Sequence, residues 1–212
     1  MKSAAGVQLP LIDVTETWKH AATTGYAGWI LRLAPRGMIA PTAAGPTRFN
    51  PGSLASSAFE TLYLALDEST ALLEKRVQFG DPSASPIAMV VNTEKQKRTT
   101  LIDINVNLRD VVDLTNLSGH QLLATNAQEI TGDWHGYELR GRPGVVLDQA
   151  VGLAPTQILG QELLHAPGIE GIKAISAKNP TTCCLIIFTE KLTRPGSLAW
   201  DDPTTGTRER YP

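Results

Sequence analysis

The chain has 212 residues, enough to bury a full core without disulfides or a structural metal. Hydrophobic residues make up 42% and charged residues 19%, a globular composition that excludes a disordered chain. A formal net charge of −2 gives no global field for nucleic acid or anionic membrane, although a local basic pocket for a small anion stays open.

Residues 1–25 read as an N-terminal extension with a short helix around DVTETWKHAA, capped by Asp13 or Thr15. AGWILRL at 27–33 alternates as a strand, with Trp29, Leu31 and Leu33 on one face and Ile30 and Arg32 on the other. A Pro/Gly/Ala-rich loop then leads to Arg48. TLYLAL at 61–66 predicts a strand, with Leu62, Leu64 and Leu66 on one face and Tyr63 and Ala65 on the other. A helix over about 69–79 follows, capped by Asp67 or Ser69 and closed by Gly80 and Asp81-Pro82. Strands are expected near 86–92 and 99–106, joined by the solvated turn TEKQKR. Segment 107–150 has a weak pattern, with a short helix near 118–123 and a Gly/Arg-rich loop at 140–144. PTQILGQELLH at 155–165 predicts a helix with proline in its first turn. Strands at 170–176 and 183–189 end the core, and the polar tail from Thr193 reads as loosely ordered.

Strands come in runs and helices are few, which predicts an α+β domain over 26–192 with mainly antiparallel strands, followed by a tail at 193–212. Neither standard glycine-rich phosphate loop is present. Cys183 and Cys184 are sequence neighbours in an apolar run and read as buried, reduced thiols of a cytoplasmic protein. The four histidines, His20, His120, His135 and His165, share no metal-ligating spacing, so no metal is expected. No apolar run has membrane-spanning length, and the N-terminus lacks the apolar stretch of a signal peptide.

Four residues carry candidate chemistry, each with a plainer alternative. Arg48, in RFNPG, suits phosphate oxygens, or is an ordinary surface arginine. Tyr63 could stack on a flat ring, or sit in the core with its hydroxyl satisfied. Glu74 lies between Ala71 and Val77 on a helical stripe, where burial is costly unless paired, or it points to water. Ser176, before Lys178-Asn179-Pro180, is alone a turn residue.

Taken in order, RFNPG, YLALDESTALLE, PTQILGQELL and GIKAISAKNP followed by an apolar strand resemble the RES domain family, named for its arginine, glutamate and serine. The resemblance covers about residues 27–192 and maps onto Arg48, Tyr63, Glu74 and Ser176. Arg32 is similar to a further arginine of the family's first strand, with Arg36 a competitor for that position. The resemblance implies an ADP-ribosyltransferase-like fold of two packed antiparallel sheets. It implies a toxin of a bacterial toxin–antitoxin pair, partnered by a small Xre-type helix-turn-helix antitoxin. NAD is then the substrate rather than a cofactor, cleaved at its nicotinamide–ribose bond, with water, phosphate as co-substrate, or a protein side chain as acceptor. In that reading Arg48 and Arg32 hold the pyrophosphate and Tyr63 stacks on nicotinamide. Glu74 stabilises the developing ribose cation or acts as base, and Ser176 bonds the ribose or the amide. A protein ADP-ribosyltransferase and a non-catalytic nucleotide-binding module are the alternatives. Direct nucleic-acid or membrane contacts are not expected, and a homo-oligomer is compatible with the sequence.

Overall fold

The computed structural model describes residues 9–23, 46–52, 59–75, 99–134, 152–203 and 205–212. Strand β1 (Leu11–Thr23) runs antiparallel to the long β3 (Thr99–Leu114), from Leu11 opposite Val112 to Thr23 opposite Thr99. This corrects the helix expected around DVTETWKHAA. The segment alternates with period two: Val14, Trp18 and Ala22 are buried, while Thr15 and Thr17 face water. Cross-strand pairs on the solvent face reinforce it, with Lys19 Nζ 2.7 Å from Asp103 and Thr17 Oγ1 2.9 Å from Asn105.

β3 also alternates, burying Ile102, Ile104, Val106 and Leu108. The phase then breaks. Val14 pairs with Leu108 but Ile12 pairs with Val111, so β3 carries one extra residue there. Asp110 takes a φ of 50°, the left-handed conformation that such a bulge uses. Beyond it Val111, Val112 and Leu114 are buried. The bend lets one strand serve two neighbours: β6 (Leu198–Asp201) pairs at Ile104–Val106 and β4 (Gly171–Ile175) pairs at Val111–Leu114, the latter in parallel.

β2 (Thr61–Ala65) and β5 (Cys183–Phe188) complete the circuit. The hydrogen-bonded order is β1-β2-β5-β4-β3, with β3 returning to β1 and β6-β7 extending from β3. Strand β7 is Arg208–Tyr211. The tail read as loosely ordered therefore carries two strands. Leu198 and Trp200 supply their anchor, being buried on the core face with Ile104 and Leu185.

Four α-helices are described: α1 (Glu68–Glu74), α2 (Leu117–Leu122), α3 (Ala127–Thr131) and α4 (Pro155–His165). The mixed α+β class follows, with a sheet-dominated core and few helices. One apolar cluster gathers around Trp18, Ile104, Leu185 and Trp200. On the other face a second cluster joins Phe49, Phe59, Ile172, Ile186 and Phe188 to Leu159 and Leu163 of α4, with Phe59 and Phe188 edge-to-face at 5.9 Å. Cys183 and Cys184 are free, buried and divided between the two clusters by strand alternation. The strands expected at 27–33 and 86–92, the turn at 93–98 and the loop at 140–144 lie outside the described residues.

Candidate active site

The second face of the sheet opens into a cavity of about 740 Å³, within the range of small-molecule sites. Its floor comes from β2, β4 and β5. Antiparallel register sets Ala65 and Ala174 on either side of Cys184, and Tyr63 beside Ile186. Small residues at Ala65 and Ala174 leave depth there, while Leu62 and Leu64 on the opposite face of β2 are spent on the core.

Arg48 enters from a turn that is fixed at several points. Thr47 N–H donates to Asn50 O at 2.7 Å, and Asn50 Oδ1 accepts from Gly52 N–H at 2.8 Å. The Tyr63 hydroxyl lies 2.8 Å from Thr47 Oγ1 and accepts the Phe49 N–H at 3.0 Å. Burial pushes the Tyr63 phenol up to about 12, so it stays protonated. Gln157, in the first turn of α4, accepts the Ala154 N–H and donates to Thr47 O at 3.0 Å. One turn on, Gly160 brings α4 against the Phe49 carbonyl so closely that a Cβ there would lie 1.9 Å from the oxygen. Arg48 thus leaves a rigid base, and its Nη1 donates to the carbonyl of Gly132 after α3. Partial burial lowers the guanidinium pKa, while Glu74, Tyr63 and Asp133 act in the opposite sense.

Glu74 arrives at the end of α1, whose start is secured by Asp67 accepting the Thr70 N–H at 2.8 Å. The side chain is solvent-accessible, but its carboxylate is held: Oε1 accepts from Ser176 Oγ at 2.6 Å. Ser176 itself is fully buried and accepts the N–H groups of Lys178 at 3.2 Å and Asn179 at 3.1 Å. Its single proton is committed to Glu74 and its lone pairs to the backbone, so it orients the carboxylate. Asn179 ties this turn back to α1 through Thr70 Oγ1 at 3.0 Å. Beneath them Cys184 Sγ lies 3.7 Å from Glu74 Oε1; burial and then that carboxylate push the thiol up, which keeps it unreactive.

Arg48, Tyr63, Glu74 and Ser176 all line this one cavity. Arg32 lies outside the described residues. Sequence reasoning missed Thr47, Gln157, Gly132, Trp134, Lys75 and Lys178, which complete the walls or support them. None carried a local signal: Thr47, Gly132 and Gln157 are recruited by contacts between segments far apart in the chain, and Lys75, Trp134 and Lys178 by the cavity they line.

A model of the RES domain matches residues 17–201. The chain belongs to the RES domain family. This RES chain also superposes on a chain from the crystal structure of the M. tuberculosis MbcT–MbcA toxin–antitoxin complex, with a TM-score of 0.52. Identity is 19%, over 90% of this chain and 83% of that one, so the likeness is one of fold. No curated protein matches the sequence. The RES match begins inside β1 and ends with β6, so it takes in strands on both sides of the expected 26–192 core. Among the described residues no helix is long and apolar enough to cross a membrane.

Proposed function

We propose that this RES protein is an NAD-degrading enzyme that breaks the nicotinamide–ribose bond, and the toxin of a bacterial toxin–antitoxin pair. The observation that carries the reading is the 2.6 Å bond from Ser176 to Glu74, which fixes a carboxylate in the same cavity as Arg48. A dinucleotide needs a cation for its pyrophosphate and an anion for a cationic ribose, and the cavity supplies both.

In this reading Arg48 spends one N–H on Gly132 and offers the others to the pyrophosphate. Ionisation sends the electron pair of the glycosidic bond to the nicotinamide nitrogen, neutralising the ring. Positive charge builds on the ribose, and Glu74 stabilises it. An acceptor oxygen then bonds to the anomeric carbon and gives its proton to Glu74 or solvent. With water the enzyme is a glycohydrolase; with phosphate it is a phosphorylase. Tyr63 serves by holding the turn that bears Arg48.

The same proposal covers the finer architecture. In this reading the seven-stranded sheet, bent at the Asp110 bulge, would pack as two layers like those of ADP-ribosyltransferases. An Xre-type antitoxin in the cytoplasm is the proposed partner; the family and the toxin–antitoxin origin of the fold neighbour support it.

The experiment is product analysis of NAD incubated with the protein, with and without phosphate. Nicotinamide release that falls about 100-fold or more in Glu74→Gln is expected. Equal rates in the two proteins would remove Glu74 from the chemistry. Radiolabel from NAD appearing on protein would instead favour ADP-ribosyl transfer, and binding without nicotinamide release a non-catalytic module.

A further inference from the structure

We infer that Lys75 is a second anion-binding residue of the cavity, whose ammonium takes a phosphoryl oxygen of the ligand. The inference rests on the proposed NAD reading and adds a cation to those that reading sets against phosphate.

Four cationic side chains line the cavity among the described residues: Lys19, Arg48, Lys75 and Lys178. Three have their charge met. Lys19 Nζ lies 2.7 Å from Asp103 and 3.9 Å from Glu68. Arg48 donates to the Gly132 carbonyl and lies in the field of Glu74 and Asp133. Lys178 is exposed, so water solvates it. Lys75 differs. It is half-buried, and among the described residues its side chain has no hydrogen bond and no ion pair. Burial lowers the pKa of its ammonium, and no carboxylate acts in the opposite sense. A partly desolvated charge without a partner costs stability. An anionic ligand would offset that cost.

Position indicates which anion. Lys75 is the C-cap of α1, one residue after Glu74. Successive helical residues point about 100° apart, so the two side chains leave α1 in different directions. Glu74 turns to Ser176, the residue after β4. The charge of Lys75 is felt instead by His20 on β1, whose Nδ1 bonds the Tyr63 carbonyl. The carboxylate proposed to face the ribose thus has a cation beside it on its own helix as well as Arg48. In a dinucleotide each ribose is joined directly to a phosphoryl group, and an acceptor phosphate must approach the same ribose. Both sources bring a phosphoryl oxygen close to Glu74. An ammonium suits either, because it binds phosphate as a point charge. A helix C-terminus also attracts a cation through its dipole, but that role involves no ligand.

The test compares Lys75→Gln, Lys75→Met and Lys75→Arg with wild type. Lys75→Met keeps the packing of the apolar stem. ADP-ribose and inorganic phosphate are titrated separately by calorimetry, melting curves are recorded, and nicotinamide release from NAD is followed with and without phosphate. At least one of the two ligands is expected to bind about tenfold or more weakly in both uncharged variants, and within about threefold in Lys75→Arg. Loss on ADP-ribose puts the ammonium on the pyrophosphate, and loss on phosphate alone puts it on the acceptor. Melting temperatures of the uncharged variants should equal or exceed wild type, because an unpaired charge has been removed. Unchanged affinity for both ligands in the uncharged variants, or no binding of either ligand to wild type, overturns the inference. The NAD reading is decided separately: wild type that releases no nicotinamide overturns it, and a charge-dependent loss of phosphate binding would still uphold the anion site.

Discussion

Gly160 gives a sharp test of how the site is built, because two principles assign opposite signs to one substitution. It sits within α4, where alanine is favoured over glycine by about 1 kcal/mol. On propensity alone Gly160→Ala should stabilise the protein. The added Cβ, however, would lie 1.9 Å from the Phe49 carbonyl oxygen and 2.9 Å from its carbon. Restoring ordinary contact requires the helix and the 47–50 turn to part by about 1.5 Å. The obstacle is backbone, so no side-chain rotation relieves it. Overpacking of this kind costs about 1–3 kcal/mol, which outweighs the propensity gain. Net of that gain up to about 2 kcal/mol is lost, so the expected result is a melting temperature lower by up to about 8 °C for a chain of this size. Activity should fall further than stability does. The displaced turn carries Arg48, and a 1 Å misplacement of a positioning group can cost about 100-fold in rate. Thermal melts and nicotinamide release at a temperature where both proteins are folded measure the two effects. A Gly160→Ala protein that melts at or above wild type and retains full turnover would refute the reasoning.

The same reasoning extends to three other positions. Ser176→Ala removes the 2.6 Å bond to Glu74 and the acceptor of the Asn179 N–H, and leaves the Lys178 N–H only its 3.4 Å bond to Glu74, so kcat should fall about 10- to 100-fold with little change in KM; a selective rise in KM would instead put the serine on the substrate. Tyr63→Phe deprives the Phe49 N–H of its acceptor, at a cost of about 1–3 kcal/mol, and should lower the melting temperature and raise KM for NAD by loosening the Arg48 turn. An unaltered melting curve and KM would show that the hydroxyl does not hold that turn. Burial, then nearby Lys75, holds His20 below its ordinary 6.5 against the opposing bond from its Nδ1 to Tyr63 O, and its Nε2 is buried with no hydrogen-bond partner among the described residues. The folded state thus resists a proton that the unfolded chain accepts, so His20 contributes stability above about pH 6.5 that is lost as pH falls toward its lower folded value. Denaturant melts between pH 7 and 5 should show a smaller acid loss in His20→Gln; identical pH slopes would count against it.

What the sequence revealed divides along a physical line. Elements whose signal is local were legible: α4 from its period and its proline, β5 from an unbroken apolar run, and the facing of Tyr63 and Ala65 away from Leu62 and Leu64. β1 was misread because Glu, Lys and Ala dilute the strand preference of its Thr and Trp residues. Its pairing with β3, from Thr23 opposite Thr99 to Leu11 opposite Val112, decides the matter. β6 was missed for a similar reason: four residues between prolines carry too little pattern until Trp200 is seen against Ile104. At the site, residues with distinctive chemistry could be chosen from the chain, but Gln157 and Gly132 could not, since each matters through a contact that only the fold creates.

The cavity is assembled from two separately braced halves, which bears on how it would work. One half is Arg48 on a turn clamped by Tyr63, Gln157 and Gly160; the other is Glu74 clamped by Ser176 and the 178–179 backbone. The sheet joins them, because Tyr63 and Ala65 on β2 stand in direct register with Ile186 and Cys184 on β5, and Cys184 with Ala174 on β4 two residues before Ser176. A strand pairing is stiff along its hydrogen bonds, so the separation of cation and anion is set before any ligand arrives. Electrostatic stabilisation is largest when its groups need no reorganisation as charge develops. A fixed Arg48–Glu74 separation would therefore serve a substrate of fixed length, with phosphate at one end of a ribose and the scissile bond at the other.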